Sequence, residues 1–99
     1  MNLTNNNYII KQTNSFKRVV KKLYTNQKKE LDKAVREILK NPHIGAAKKG
    51  DLYGVKVYKF NMINQLTLLA YNYDTHSNVI TLLALGTHEG FYKDLKLSI

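Results

Sequence analysis

The sequence predicts an α+β domain: an N-terminal strand and a helix hairpin packed on an antiparallel sheet, with a three-stranded C-terminal meander and a short C-terminal helix or tail. Three observations predict it. Apolar residues recur twice at helical spacing between Phe16 and Leu39, three runs rich in β-branched and aromatic residues follow between Val55 and Leu85, and the connections between those runs are short enough to imply antiparallel neighbours. A chain of 99 residues can build one core and not two, so residues 1–99 are read as a single domain.

Met1 to Asn7 is Asn-rich and aperiodic, a loose end leading into a short strand at Tyr8 to Lys11. Phe16, Val19, Val20, Leu23 and Tyr24 then mark one helix face, with Asn14 or Ser15 placed to cap the start and Lys17, Arg18, Lys21 and Lys22 on the opposite face. Leu31, Ala34, Val35, Ile38 and Leu39 repeat the spacing until Asn41-Pro42 stops the second helix. Each helix has one apolar stripe, so the hairpin needs a sheet to pack against.

That sheet comes from Val55 to Phe60, Gln65 to Tyr73 and Val79 to Leu85. The last run, VITLLAL, is apolar at almost every position, which suits a central strand covered on both faces. It ends at Gly86 or Thr87, and His88 to Leu95 reads as a short helix or turn. No helix long enough to cover the second face of the sheet is predicted, so that face is expected to dock something or to carry functional side chains.

Composition narrows the partners. Apolar residues at 43% and charged residues at 23% are ordinary globular usage. Sixteen Lys and Arg against seven Asp and Glu leave a net charge of +9, which favours an anionic partner, nucleic acid above all, over a mere solubility charge. No segment has the basic and bulky apolar faces of an interfacial helix, no apolar run approaches the roughly 20 residues of a membrane span, and MNLTNNNYIIKQT lacks a secretion signal, so a cytoplasmic protein without a membrane partner is expected. With Cys 0 there is neither a disulfide framework nor thiolate chemistry.

Two stretches could carry chemistry. In AAKKGDLYGVKVYKF, Lys48, Lys49, Lys56 and Lys59 interleave with Tyr53 and Tyr58, a pattern that offers cations to a phosphate backbone and rings to its bases. Strand alternation puts Lys56, Tyr58 and Phe60 on one face and Val55, Val57 and Lys59 on the other, so all four lysines cannot share one site. Lysines on an edge strand also deter aggregation, which is the plainer role for Lys59. In GTHEGFYKDLK, His88, Glu89 and Tyr92 follow a buried strand, and the spacing from His88 to Tyr92 suits one side of a helical turn. Both can exchange protons and both can hydrogen-bond phosphate. The structural alternative is that Thr87 or His88 caps a turn anchored by Phe91 and Leu95. His43, His76 and His88 are far apart in sequence and the acids form no cluster, so no metal site and no cofactor are expected.

From Lys48 through GDLYGVKVYKF, NQLTLLAY and ITLLALGTHEGFYKDLK, with the helix hairpin before them, the chain resembles the RelE/ParE superfamily of type II toxins, in its mRNA-interferase branch (RelE/YafQ/HigB-like). The resemblance covers Phe16 to Lys96, and the closing glycine, histidine and aromatic pattern is its most specific part. It implies a toxin of a toxin-antitoxin system, a cognate antitoxin partner, and an endoribonuclease that enters the ribosomal A site and cuts mRNA, inhibiting translation.

On that resemblance His88 and Tyr92 match tail catalytic positions, and Lys48, Lys49 and Lys56 match basic positions on the sheet. Glu89 would orient His88 or serve as the base, while Lys59 and Tyr58 would add RNA contacts. Neighbouring lysines disfavour a protonated imidazole, which keeps His88 able to accept a proton. The departure lies in the last strand, where several relatives resembling this chain carry an arginine: VITLLALG has none, and Arg18 and Arg36 both lie on the helices. ParE-like members on the same scaffold inhibit DNA gyrase without enzymatic activity, which makes that the alternative. A plain DNA-binding regulator fits less well, because neither helix has base-reading side chains in its first turns.

Overall fold

The computed structural model of the chain describes residues 8–87, 91–93 and 95–96. Strand β1 (Ile9–Gln12) leads through Thr13 into α1 (Asn14–Lys21), and α2 (Thr25–Lys40) follows after three residues. The chain then crosses to the far edge of the sheet as β2 (Ala46–Ala47), makes a single 3₁₀ turn (Gly50–Leu52), and returns as the meander β3 (Lys56–Asn61), β4 (Leu66–Asp74) and β5 (Val79–Gly86). The strand order is β1-β5-β4-β3-β2. Residues 91–93 and 95–96 are helical. Met1 to Asn7 lies outside the described residues. Among those described, no helix is long and apolar enough to cross a membrane.

The sheet is mixed rather than purely antiparallel, because β1 joins β5 in parallel, with Ile9 opposite Val79 and Gln12 opposite Leu82. The crossover explains why: a chain that starts on one edge, passes over the helices to the other edge and walks back in hairpins meets its own first strand last. The two-residue β2 is too short to leave a periodic signal. It pairs Ala46 with Val57 and Ala47 with Lys56.

Both helix boundaries have local causes. Thr13, rather than Asn14 or Ser15, caps α1: its hydroxyl oxygen accepts from the Phe16 N–H at 3.1 Å and donates to the Leu83 carbonyl at 3.0 Å. The helix is also shorter than the apolar spacing suggests. Lys22 and Leu23 N–H groups donate back to Val19 and Val20 carbonyls and close it. Tyr24 then begins α2, its N–H donating to Gln27 Oε1 at 2.8 Å, and its ring is 76% exposed instead of on a core face.

Helices cover one face of the sheet. Phe16, Leu31, Val35 and Ile38 pack there on Leu69, Tyr71, Ile80 and Leu82. The opposite face is not bare, as the sequence suggested, because the chain covers part of it itself: Leu52 from the 3₁₀ turn and Phe91 and Leu95 from the tail pack on Val57, Leu68, Ala70 and Leu83. Strand β5 serves both cores through a bulge. Ala70 pairs with Ala84 and Tyr71 with Leu82, so Leu83 is the extra residue and the alternation changes phase there. Ile80, Leu82 and Leu85 face the helices, while Leu83 and Ala84 face the tail. The Thr13 N–H donates to the Leu82 carbonyl at 3.1 Å, so the residue that caps α1 also satisfies carbonyls at the bulge.

Tyr71, fully buried at the middle of β4, fixes the segment after α2: its hydroxyl donates to the Pro42 carbonyl at 2.8 Å and accepts from the Gly45 N–H at 3.0 Å. A Cβ on Gly45 would meet Tyr71 Cε1 at 2.9 Å and Lys56 Cβ at 3.0 Å, so only glycine fits. Burial pushes the phenol above its usual 10.0, opposed by the Gly45 hydrogen bond. Its protonated form therefore contributes stability fully below pH 10.0, and the contribution is lost as pH rises through the raised value. Tyr71→Phe strands a buried donor and acceptor, so urea unfolding at neutral pH is expected to show a loss of about 1–3 kcal/mol. That difference from wild type should shrink in strongly alkaline buffer.

Candidate nucleic-acid interface

The pairing of β2 with β3 continues one residue further, because the Lys48 N–H donates to the Val55 carbonyl at 2.9 Å. Residues opposed in this way point to the same side, so Lys48 shares the face of Val55 and Val57, where the tail packs. Its ammonium lies over the Tyr92 ring, 5.5 Å from the centroid. Tyr92 in turn meets the buried Phe91 edge-on, with centroids 5.1 Å apart at 84°. A buried anchor thus fixes a half-buried ring, and the ring sets a cation beside it.

Around this pair the surface is basic. Lys49 and Lys93 are exposed next to Lys48 and Tyr92 in the chain, and Lys59 is exposed on the same face of β3, opposite Leu68. Lys96 reaches Asp51 of the 3₁₀ turn at 3.9 Å, tying the tail to the loop that follows Lys49. Sequence reasoning passed over Lys96, although it stands four residues after Tyr92, the spacing that shares one side of a helical turn.

Lys56 and Tyr58 are elsewhere. Strand alternation puts both on one face of β3, as the sequence predicted, and the structure turns that face toward the helices. Lys56 sits beside Gly45 and opposite Tyr71. Tyr58 stacks on Phe60 with centroids 6.1 Å apart and lines a hollow shared with Glu30, Lys33 and Glu37 of α2, where Lys33 already pairs with Glu30 at 3.0 Å. His88 and Glu89 lie outside the described residues. The last described position before them is Thr87, exposed just past the end of β5. His43 packs edge-on against Tyr73 at 5.3 Å, with Tyr8 on the same ring at 5.9 Å, an aromatic cluster on the helix face.

A cleft of about 160 Å³ opens between the helix corner and the ends of β4 and β5, lined by Val19, Leu23, Met62 and Leu85 among others and by no charged side chain. It suits an apolar group and not a phosphate. Among the described residues no three or more His, Cys, Asp or Glu side chains form a set able to hold a metal ion.

The sequence matches, over residues 10–96, the family described as ParE-like toxin of type II bacterial toxin-antitoxin system. Among solved structures, a double arginine-to-alanine mutant of Escherichia coli toxin RelE in the free state superposes with a TM-score of 0.71 at 19% identity, covering 92% of each chain. A chain of the intact E. coli RelBE toxin-antitoxin complex gives 0.68 at 21% identity, over 83% of this chain and 98% of that one. The RelE mutant bound to an antitoxin RelB peptide gives 0.66 at 20%, over 84% and 85%. At such identities the likeness carries the fold. No curated protein matches the sequence.

The anchor and the cation differ in what they support. Phe91→Ala removes a ring that is 2% exposed and is expected to cost about 3–5 kcal/mol in urea unfolding. Lys48→Gln removes a half-exposed cation–π contact and is expected to cost about 1 kcal/mol or less.

Proposed function

The chain belongs to the ParE-like toxin family of type II bacterial toxin-antitoxin systems, and from that premise we propose that it is a ribosome-dependent endoribonuclease that cuts mRNA in the cytoplasm and so stops translation. The observation that carries this reading is the Lys48 ammonium held over the Tyr92 ring on a basic face, a cation and a stacking surface side by side. Single-stranded RNA offers a phosphate and a base at that separation.

The chemistry uses the RNA's own 2′-hydroxyl. Its oxygen attacks the adjacent phosphorus, the bond to the 5′-oxygen breaks, and the products are a 2′,3′-cyclic phosphate and a free 5′-hydroxyl. No step is assigned to a metal. One group must take the hydroxyl proton, one must protonate the leaving oxygen, and cations must stabilise the charge on the phosphate. We assign the first role to His88, which follows Thr87 in the chain and precedes Tyr92 by four residues. Glu89 orients His88 or replaces it as base. Lys48 stabilises the phosphate, Lys49 and Lys59 hold the flanking backbone, and Tyr92 stacks on a base. Lys56 and Tyr58, which face the helices, drop out of this reading.

A cognate antitoxin is the second proposed partner. The E. coli RelE structures with RelB are toxin–antitoxin complexes on this fold. For this chain we infer an antitoxin segment, acidic or apolar, that covers the Lys48 to Lys59 face and masks charge and site together.

One observation favours a second reading, inhibition of DNA gyrase without catalysis: β5 carries no arginine to assist at a phosphate. A translation extract separates the two. The nuclease reading expects discrete breaks in translated mRNA with cyclic-phosphate ends, slowed about 100- to 10,000-fold by His88→Ala. Tyr92→Ala should weaken cleavage more than Tyr92→Phe, which keeps the ring. Intact mRNA together with lost gyrase supercoiling would replace this reading with the other, and wild-type cutting by His88→Ala would remove the histidine from the mechanism.

A further inference from the structure

Charge is divided unevenly along the chain. The first acidic residue is Glu30, and Lys17, Arg18, Lys21, Lys22, Lys28 and Lys29 all precede it with no carboxylate among them. All six are exposed, and none forms an ion pair among the described residues. Later cations of α2 behave differently: Lys33 pairs with Glu30 at 3.0 Å, Arg36 with Asp32 at 3.0 Å and Lys40 with Glu37 at 3.7 Å.

Local helix physics does not explain the unpaired set. Arg18 and Lys21 do complement the carbonyl end of α1. Lys28 and Lys29, however, stand near the amino end of α2, where the helix dipole disfavours cations and the first turn has no acid. Lys17 repels Lys21, and Arg18 repels Lys22, each one turn apart. The arrangement works against the folded state and suits an anion that the protein alone does not supply.

We propose that α1 and the start of α2 form a second nucleic-acid surface, which grips the phosphate backbone of folded, double-stranded RNA. It lies on the helix side of the sheet, opposite the Lys48–Tyr92 face, so both surfaces can be occupied at once. The solvent side of α1 and its C-cap residue Lys22 together carry four cations and no aromatic ring; Tyr24, at the corner, is the exposed ring nearest to them in the chain. Such a surface contacts phosphates and does not read bases. A duplex, with its phosphates outward and its bases paired, is the ligand that fits. The choice of RNA over DNA rests on the nuclease reading given above.

The test is fluorescence anisotropy on the full chain with a 20-base-pair RNA duplex, a DNA duplex of the same length and a poly-glutamate peptide, each across a salt series. Replacing Lys17, Arg18, Lys21 and Lys22 together with Gln should weaken RNA-duplex binding at least tenfold and lower the salt slope by about 3 to 4. Circular dichroism checks the fold of both variants. Replacing the paired Lys33, Arg36 and Lys40 with Gln should change affinity less than threefold. Equal losses in the two variants would mean diffuse attraction and overturn the proposal. So would DNA binding as tight as RNA binding, or a peptide that binds through the same four cations more tightly than the RNA duplex. Wild type that grips the RNA duplex through α1 yet leaves translated mRNA intact would remove the nuclease reading alone. Wild type that cuts mRNA, with the α1 variant binding duplex normally, would remove this surface alone.

Discussion

The hydroxyl of Tyr71 sets the route of the chain between its helical half and its sheet. It joins the Pro42 carbonyl to the Gly45 N–H beneath the segment that leaves α2. That segment must carry the backbone to the far edge of the sheet, where β2 has just two residues with which to hold it. A ladder so short specifies register weakly, and the buried phenol supplies the constraint it lacks. Lys48 follows β2 directly. The placement of its ammonium over Tyr92 therefore depends on a hydrogen-bonded ring on the opposite side of the sheet.

The sheet sustains two cores of different origin. One is built by α1 and α2, and the other by a 3₁₀ turn and a tail contributing Leu52, Phe91 and Leu95. A regular strand could not turn Leu83 and Ala84 both toward the tail and then return Leu85 to the helices. The bulge does so, and Thr13 satisfies two of the carbonyls there. In this way the cap of the first helix, the phase of the last strand and the footing of Phe91 form one mechanical unit.

Much of the architecture was legible because apolar spacing reports burial, and burial dominates in long elements. That holds for α2, whose face from Leu31 to Leu39 and stop at Asn41-Pro42 both match the structure. It fails where a hydrogen bond outweighs periodicity. Leu23 and Tyr24 continue the helical spacing of α1, yet the Gln27 side chain claims the Tyr24 N–H and opens a new helix there. Neither β2, too short for any period, nor the parallel join of β1, which depends on a partner far along the chain, leaves a local trace. Of the candidate site, alternation separated Lys56 and Tyr58 from Lys59, but it does not say on which side a tail will pack. Phe91 and Leu95 decide that by burying themselves against Val57 and Leu83.

The parallel edge has a consequence for how the protein comes into being. Thr13 bonds to Leu83, seventy positions away, and among the described residues β1 pairs with β5 alone. During synthesis β1 has to wait, unpaired, until the strand beginning at Val79 emerges behind it. Long-range closure of this kind is slow and is among the final steps of assembly. A nascent chain halted before β5 can form its helices and the β2–β4 ladders, but it has no partner for β1, so the contacts that seal this edge can form only once Val79–Gly86 has emerged from the ribosome.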